Sequence, residues 1–381
     1  MSSCFVFLTH RLDQFERPAV HEYFDDLMFS VEPVFGRLGA FSGFRRFLKC
    51  RRICYDSGGF KFLIKGVLDV DPREVALYYK ALGFNDCDFL IQLDLPPSYY
   101  MSKSERLRLI EKSAAYYHVM ADVLKSSNLL GVVHGWAEDE LLYSLSLLED
   151  PGVVAAGSFV SPPVYAHDYI QKSRIALGSY IAKSVLKEKI KSVPRRAVFE
   201  RLVVAMNLLR DREVFMLGGS NANTLHIMFL LGARYSDGAA WRLATKLYCI
   251  MIPELGRFSI GVKAISKRLN DQALKTLKEY HSESPFSFLS FNDFIVQLRN
   301  DFITRALWNA WVLKVEEQIA NEYACDPDRY YEYLRERWAN NSYWRTILNF
   351  VWKRMKHPYI QPKLDIFLKT HLKVKKSAEK A

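Results

Sequence analysis

Short apolar runs recur along this chain, and each is followed by a stretch whose apolar residues have helical spacing. The runs are Cys4–Leu8, Arg52–Tyr55, Phe89–Leu93, Leu130–Val133, Val153–Ala156, Val214–Leu217 and Ala233–Ser236. The amphipathic stretches between them include Pro72–Leu82, Ser104–Ser126, Glu138–Leu148 and Asn223–Leu231. Strands that alternate with helices pair in parallel, because each crossover helix returns the chain to the same end of the sheet. Seven or eight such units predict an α/β chain folded as a closed (β/α)8 TIM barrel rather than an open sheet. The chain has 381 residues and a barrel takes about 250, so further elements must be attached to it.

Two attachments stand out. Near residues 165–212 the sequence reads as a helical, basic insertion, with Lys183, Lys187, Lys189, Lys191, Arg195 and Arg196 around Pro194. Residues 301–381 read as a helical C-terminal region, and residues 1–300 as the barrel with its insertion. In the C-terminal region aromatic and basic residues interleave, among them Arg329, Tyr330, Tyr331, Arg335, Trp338, Trp344, Arg345, Trp352 and Lys356. Such helices fit a face that holds a nucleic-acid strand, or an ordinary apolar core with a solvated basic side. The formal net charge of +11 favours polyanionic partners, although many basic proteins bind no nucleic acid.

The six cysteines are scattered and form no C-x-x-C pair. Their spacing encodes neither a disulfide framework nor a zinc site. The first ten residues lack the basic and long apolar regions of a secretory signal, and no run of about 18 apolar residues exists to cross a membrane. A reduced, cytoplasmic setting is the expectation.

Active sites of (β/α)8 barrels lie at the carboxyl ends of the strands. The residues that follow the apolar runs are Asp56-Ser57-Gly58-Gly59-Phe60, Asp94-Leu95-Pro96, His134-Gly135-Trp136, Gly157-Ser158, Gly218-Gly219-Ser220 and Asp237-Gly238-Ala239-Ala240. Asp56, Asp94 and His134 are spaced by about 40 residues, the length of one β/α unit. Three carboxylates and one imidazole are thus expected at one mouth. Each has a plainer reading: an aspartate after a strand is often a helix cap, and a lone histidine is often a satisfied core residue. Gly58-Gly59 fits a tight turn or a backbone approach to a ligand. Phe60 fits the core or a flat wall for a base. The small residues around Asp237 leave room for a bulky substrate beside its carboxylate. Paired carboxylates in a cleft suit chemistry at a glycosidic bond, one attacking the anomeric carbon and one moving protons. A third can accept from the amino edge of a guanine-like base.

These residues also resemble a known family. Asp56-Ser57-Gly58-Gly59-Phe60 is similar to the D-S-G-G-F segment of the tRNA-guanine transglycosylases. Leu231-Gly232-Ala233-Arg234-Tyr235-Ser236-Asp237-Gly238-Ala239-Ala240-Trp241 resembles the archaeal L-G-x-D-x-F-D-S-A-A-Y. Leu93-Asp94-Leu95-Pro96 resembles L-D-I-P, Gly256-Arg257-Phe258 resembles G-R-Y, and Gly131-Val132-Val133-His134-Gly135 stands where the family has a V-Q-G-type run. The resemblance covers about residues 50–260, somewhat more than half of the chain.

The resemblance implies Asp237 as nucleophile and Asp56 as the acid/base beside the ribose. It implies Phe60 as the aromatic that stacks on the base, with Ser57 in the same base-binding segment. Asp94 and His134 would read the base edge, His134 in place of a glutamine, and Gly157 and Ser158 would border it. The family's zinc ligands are missing: no cysteine occurs between Cys249 and Cys325, and Phe291 stands where a ligand histidine is expected. No zinc or other cofactor is therefore expected. The sequence beyond Asn300 does not resemble the RNA-binding domains of the archaeal tRNA enzymes. These departures point to the DpdA-like paralogues that insert 7-deazaguanines into DNA. The expected enzyme is a pentosyltransferase that exchanges guanine in DNA for a 7-deazaguanine, probing a strand opened with or without a duplex-opening partner protein. A tRNA-acting enzyme and a non-catalytic binding paralogue remain as alternatives.

Overall fold

The computed structural model describes residues 4–11, 23–31, 42–59, 70–97, 99, 101–148, 152–157, 195–219, 221–261 and 266–356. Eight parallel strands close into a barrel in chain order: β1 (Phe5–Arg11), β2 (Asp26–Ser30), β3 (Arg52–Asp56), β4 (Phe89–Ile91), β5 (Leu129–Val133), β6 (Val153–Ala156), β7 (Glu213–Met216) and β8 (Tyr235–Gly238). The barrel closes where β1 pairs with β8, Phe7 lying beside Asp237. The expected TIM barrel is present.

The register carries one element that the apolar pattern does not reveal. β2 has the sequence Asp-Leu-Met-Phe-Ser and is buried along its whole length. Its polar ends, Asp26 and Ser30, break the apolar signal although both are buried, and Ser30 Oγ has no hydrogen-bond partner among the described residues. Asp26 takes Arg52 and Lys314 as partners. Asp56 consequently ends the third strand, not the second.

Alternate residues of the strands point inward. Phe7, Met28, Cys54, Ile91, Leu130, Val132, Ala155, Phe215 and Tyr235 form one interior cluster. Phe7 and Phe215 lie 5.2 Å apart between ring centroids, and Phe89 and Tyr235 4.9 Å. The interior is thus filled by side chains, and only the mouth is left for chemistry.

Crossover helices cover the outside: α1 (Pro72–Leu82), α2 (Lys103–Leu124), α3 (Glu138–Ser146), α4 (Arg195–Leu208) and α5 (Thr224–Leu230). Their ends are set locally. Asp71 caps α1 with Pro72 in its first turn, and Ser102 and Glu105 form a reciprocal capping box on α2, satisfying amide groups that the first turn leaves unpaired. Within the stretch read as an insertion, Arg195–Leu208 is the helix that leads into β7, and residues 158–194 lie outside the described residues.

After β8 comes a short helix, α6 (Ala240–Lys246), then a small sheet of β9 (Cys249–Ile252), β10 (Gly256–Ser259) and β11 (Lys267–Arg268). Helices α7 (Asp271–His281), α8 (Phe291–Asn300), α9 (Phe302–Tyr323), α10 (Pro327–Arg337) and α11 (Ser342–Lys356) follow. α9 is buried along much of its length and packs against β1, β9 and α6. Asn321 exchanges two hydrogen bonds with the Cys4 backbone, Glu317 accepts from the Val6 amide at 2.5 Å, and Lys314 spans Asp26 and Glu317. Tyr330, Leu334 and Trp338 are buried, and half-buried aromatics of α10 and α11 pack against the core: Tyr331 stacks on Trp352 at 4.5 Å, and Trp338 stacks on Trp344 at 5.4 Å. Among the described residues no helix is long and apolar enough to cross a membrane.

Candidate functional site at the barrel mouth

The period of two carries inward-facing positions up each strand to the mouth. After Phe7 on β1 comes Thr9; after Met28 on β2, Ser30; after Cys54 on β3, Asp56. Beyond Val132 on β5 comes His134, beyond Ala155 on β6 Gly157, and above Tyr235 on β8 Asp237. Ser30 sits directly beside Asp56 in the β2–β3 register. The polar layer therefore lies over the apolar interior layer, as strand geometry requires.

Asp237 is only 7% exposed. Its Oδ2 accepts from Thr9 Oγ1 at 2.9 Å, and its Oδ1 accepts from the Gly218 amide at 2.6 Å. Its carbonyl also accepts from the Gly219 amide at 3.1 Å. Gly218 has φ +78°, a left-handed conformation that glycine adopts without the steric cost of a Cβ, and this turn aims its N–H at the carboxylate. Both donors fix its orientation. Thr9 carries no signal in the apolar pattern, which ends at Leu8. The alternation Phe5, Phe7, Thr9 would have exposed it.

Asp56 Oδ1 accepts from the Gly58 amide at 3.2 Å, and Ser57 Oγ accepts from the Gly59 amide at 3.3 Å. The D-S-G-G segment is thus a turn braced by its own side chains. Ser57 is fully buried and serves that turn. Gly59 lies against Asp94 so closely that a Cβ there would meet the Asp94 carbonyl at 2.5 Å and Oδ1 at 2.7 Å. That approach, between the ends of β3 and β4, explains the second glycine.

Two buried groups sense this convergence. The Cys54 thiol is pushed well above its ordinary range by burial first, then by Asp237 and Asp56. The Tyr79 hydroxyl, which donates to the Ile91 carbonyl at 2.7 Å, is raised by burial, then by Asp56, with Asp94 contributing. Asp237 and Asp56 thus both act on Cys54 inside the barrel, and Asp56 and Asp94 both act on Tyr79 of α1.

Asp94 Oδ2 stands 2.9 Å from His134 Nε2. The contact falls outside the angular range of a hydrogen bond, and both imidazole nitrogens of His134 are buried without a hydrogen-bond partner. The His134 backbone amide donates to Ser144 Oγ at 3.0 Å. On the far side, a Cβ at Gly157 would meet His134 Cε1 at 2.8 Å. Asp94, His134 and Gly157 thus form one side of the mouth. Phe60 and Ser158 lie outside the described residues.

Above this side, Trp136 donates its Nε1–H to the Pro97 carbonyl at 2.9 Å, and the Arg201 guanidinium lies 4.0 Å from its ring centroid. Arg201 also reaches the Gly157 carbonyl, at 3.4 Å. Burial lowers its pKa to about 9, with Glu140 opposing the shift. Among the described residues no group of three or more histidine, cysteine, aspartate or glutamate side chains is arranged to hold a metal ion. No family profile matches the chain, and no curated protein matches it.

Proposed function

We propose that the protein is a base-exchange transglycosylase that replaces guanine in DNA with a 7-deazaguanine, the 7-cyano form being the favoured substrate, through a glycosyl-aspartate intermediate. The observation that carries this reading is the Asp237 carboxylate, oriented by Thr9 and Gly218, in the same mouth as Asp56 and Asp94.

Asp237 attacks the anomeric carbon as the bond to guanine breaks. The departing base takes the bonding electron pair and a proton from Asp56. The 7-deazaguanine then gives its ring proton back to Asp56 and attacks the anomeric carbon, freeing Asp237. Two displacements retain configuration. Asp94 accepts from the N–H edge of each base. A target inside a duplex is out of reach of the nucleophile, so it must leave the stack. DNA is preferred to tRNA because the resemblance fades where the RNA-binding domains of the archaeal tRNA enzymes would begin.

Incubation with labelled guanine and either DNA or tRNA tests the reading. Label in DNA, lost in Asp237→Asn, supports it. Label in tRNA alone would refute the DNA assignment, and unchanged exchange by Asp237→Asn would refute the mechanism.

A further inference from the structure

Helix α6 ends on a residue that the local geometry disfavours. Its cap is Leu247, and the next residue, Tyr248, has φ +50°. Helices commonly place glycine at this left-handed position, because a side chain there crowds the backbone. The chain instead places a large aromatic residue there and leaves it 54% exposed. Several contacts hold it. The Tyr248 amide donates to the Thr245 carbonyl at 3.1 Å, and the Tyr248 carbonyl accepts from the Ile260 amide at 3.0 Å. The guanidinium of buried Arg305 lies 4.6 Å from the ring centroid. Gly261 leaves room for the side chain, since a Cβ there would meet Tyr248 Cβ at 2.8 Å. A strained residue fixed in this way, with its side chain exposed, fits a ligand contact better than a packing element.

The same small sheet gathers positive charge. Lys267 lies beside Phe258 and Arg268 beside Ser259 in the β10–β11 register, and strand alternation puts Arg257 on the same side as Ser259 and Arg268. The bond from Ile260 to Tyr248 continues the β9–β10 ladder. Tyr248 and Arg268 therefore flank neighbouring residues of one strand, about 10 Å apart across two strand spacings. Lys246 stands in the last turn of α6. These bases are exposed, and Lys246, Arg257 and Lys267 form no ion pair with a described residue. The nearby acids are engaged elsewhere. Glu254 accepts from the Tyr280 hydroxyl at 2.7 Å, and Asp271 lies in the first turn of α7, where a helix N-terminus favours its charge.

We propose that Tyr248 and the β10–β11 edge form a second contact for a single nucleic-acid strand, apart from the barrel mouth. Tyr248 stacks on one base, and Lys246, Arg257, Lys267 and Arg268 take the flanking phosphates. An aromatic ring among positive charges suits a single strand, whose bases are unpaired and whose backbone is anionic. Helix α6 joins this surface to the mouth. It begins two residues after β8, and its short run covers about 10 Å. A strand whose target nucleotide enters the mouth therefore reaches Tyr248 within a few nucleotides. That placement rests on the proposed function, whereas strand binding by Tyr248 does not.

Fluorescence anisotropy of the full-length protein with a labelled oligothymidylate strand tests the surface. The strand holds no guanine, so its binding does not report exchange at the mouth. Tyr248→Ala is expected to bind about tenfold more weakly, and Tyr248→Phe, which keeps the ring, to bind as the natural protein does. Replacing Arg257 and Lys267 together by Gln is expected to flatten the slope of log affinity against log salt by about 1.4, or about 0.7 for each lost contact. Thermal melting establishes that each variant is folded. A ring that serves only packing would lower the melting temperature of Tyr248→Ala and leave strand affinity unchanged, which overturns the proposal. An oligothymidylate that fails to bind the natural protein also overturns it. Vesicles containing phosphatidylserine are the second probe: vesicle binding lost in Tyr248→Ala, with strand binding intact, would assign the patch to a membrane surface and overturn the proposal. Strand binding through Tyr248 with no exchange on any nucleic acid would refute the proposed function and leave this surface standing. Exchange on DNA with strand affinity unchanged in Tyr248→Ala would do the reverse.

Discussion

The Asp237 carboxylate is held by two donors, Thr9 on β1 and the Gly218 amide just beyond β7. Thr9→Val removes one of them while keeping the side-chain shape. A hydrogen bond to a charged group contributes about 1.5–3 kcal/mol, so exchange is expected to slow by about 10–100-fold, read from steady-state rates with labelled guanine. Gly59→Ala tests the close approach at β3 and β4, because its Cβ would strike the Asp94 backbone carbonyl at 2.5 Å. Overpacking of this kind costs about 1–3 kcal/mol. The expected outcome is a matching loss of base affinity, measured by calorimetry, with a smaller loss of thermal stability. Asp56, Asp94 and Asp237 were legible from sequence because each follows an apolar run. Thr9 and Ser30 were not, since a threonine or serine at a strand end looks like the start of a loop. Only the alternation counted from Phe7 and Met28 turns them inward.

At the scale of elements, one buried cluster fastens the C-terminal helices to the barrel. His226 on α5 places Nδ1 2.5 Å from the Tyr330 hydroxyl and Nε2 2.8 Å from Glu316 Oε2. Arg337 on α10 donates to both Glu316 oxygens, at 2.7 and 2.8 Å, and to the Ala222 carbonyl at 2.9 Å. Burial, reinforced by Arg337, lowers the His226 pKa from 6.5 to about 4. Burial alone would raise Glu316, but Arg337 and His226 outweigh it and hold its pKa at about 2. Both folded values lie below the unfolded ones, so the unfolded chain binds more protons as pH falls. Stability is expected to be full above about pH 6.5, to decline through the histidine's range toward pH 4, and to decline further below about pH 4.5 as Glu316 takes part. Denaturant titrations across that range measure it. Arg337→Ala leaves a buried carboxylate without its cation, and about 3–5 kcal/mol of stability is expected to go, read as a shift in the urea midpoint. In the sequence Arg337 is one more base in the interleaved aromatic and basic stretch. Its partner Glu316 and the histidine lie far away in the chain, and no local pattern joins them. The interleaved aromatics of α10 and α11 fit both a strand-holding face and a core, and Tyr330 and Trp338 took the core because the helices pack on α9, α5 and α4.

The whole molecule is built on a filled barrel whose eight parallel strands bring their carboxyl ends to one mouth, with α9 packed against β1. The alternation of strand and helix made that architecture legible, and β2 escaped because five residues with polar ends leave little apolar signal. The net charge of +11 belongs to this scale, since it acts through the summed field. If phosphate contacts dominate binding, log affinity for DNA is expected to fall linearly with log salt, with a slope of about −0.9 per contact. Affinity that ignores salt would argue against a nucleic-acid substrate. The central claim is that Asp237 forms a covalent bond to a sugar carbon. Intact-mass and peptide mass spectrometry of the protein incubated with a guanine-containing DNA strand, with no free base added, tests it most directly. The account expects a glycosyl adduct on the peptide carrying Asp237 that disappears when 7-cyano-7-deazaguanine is added. An adduct mapped to Asp56, or base release without any adduct, would contradict it.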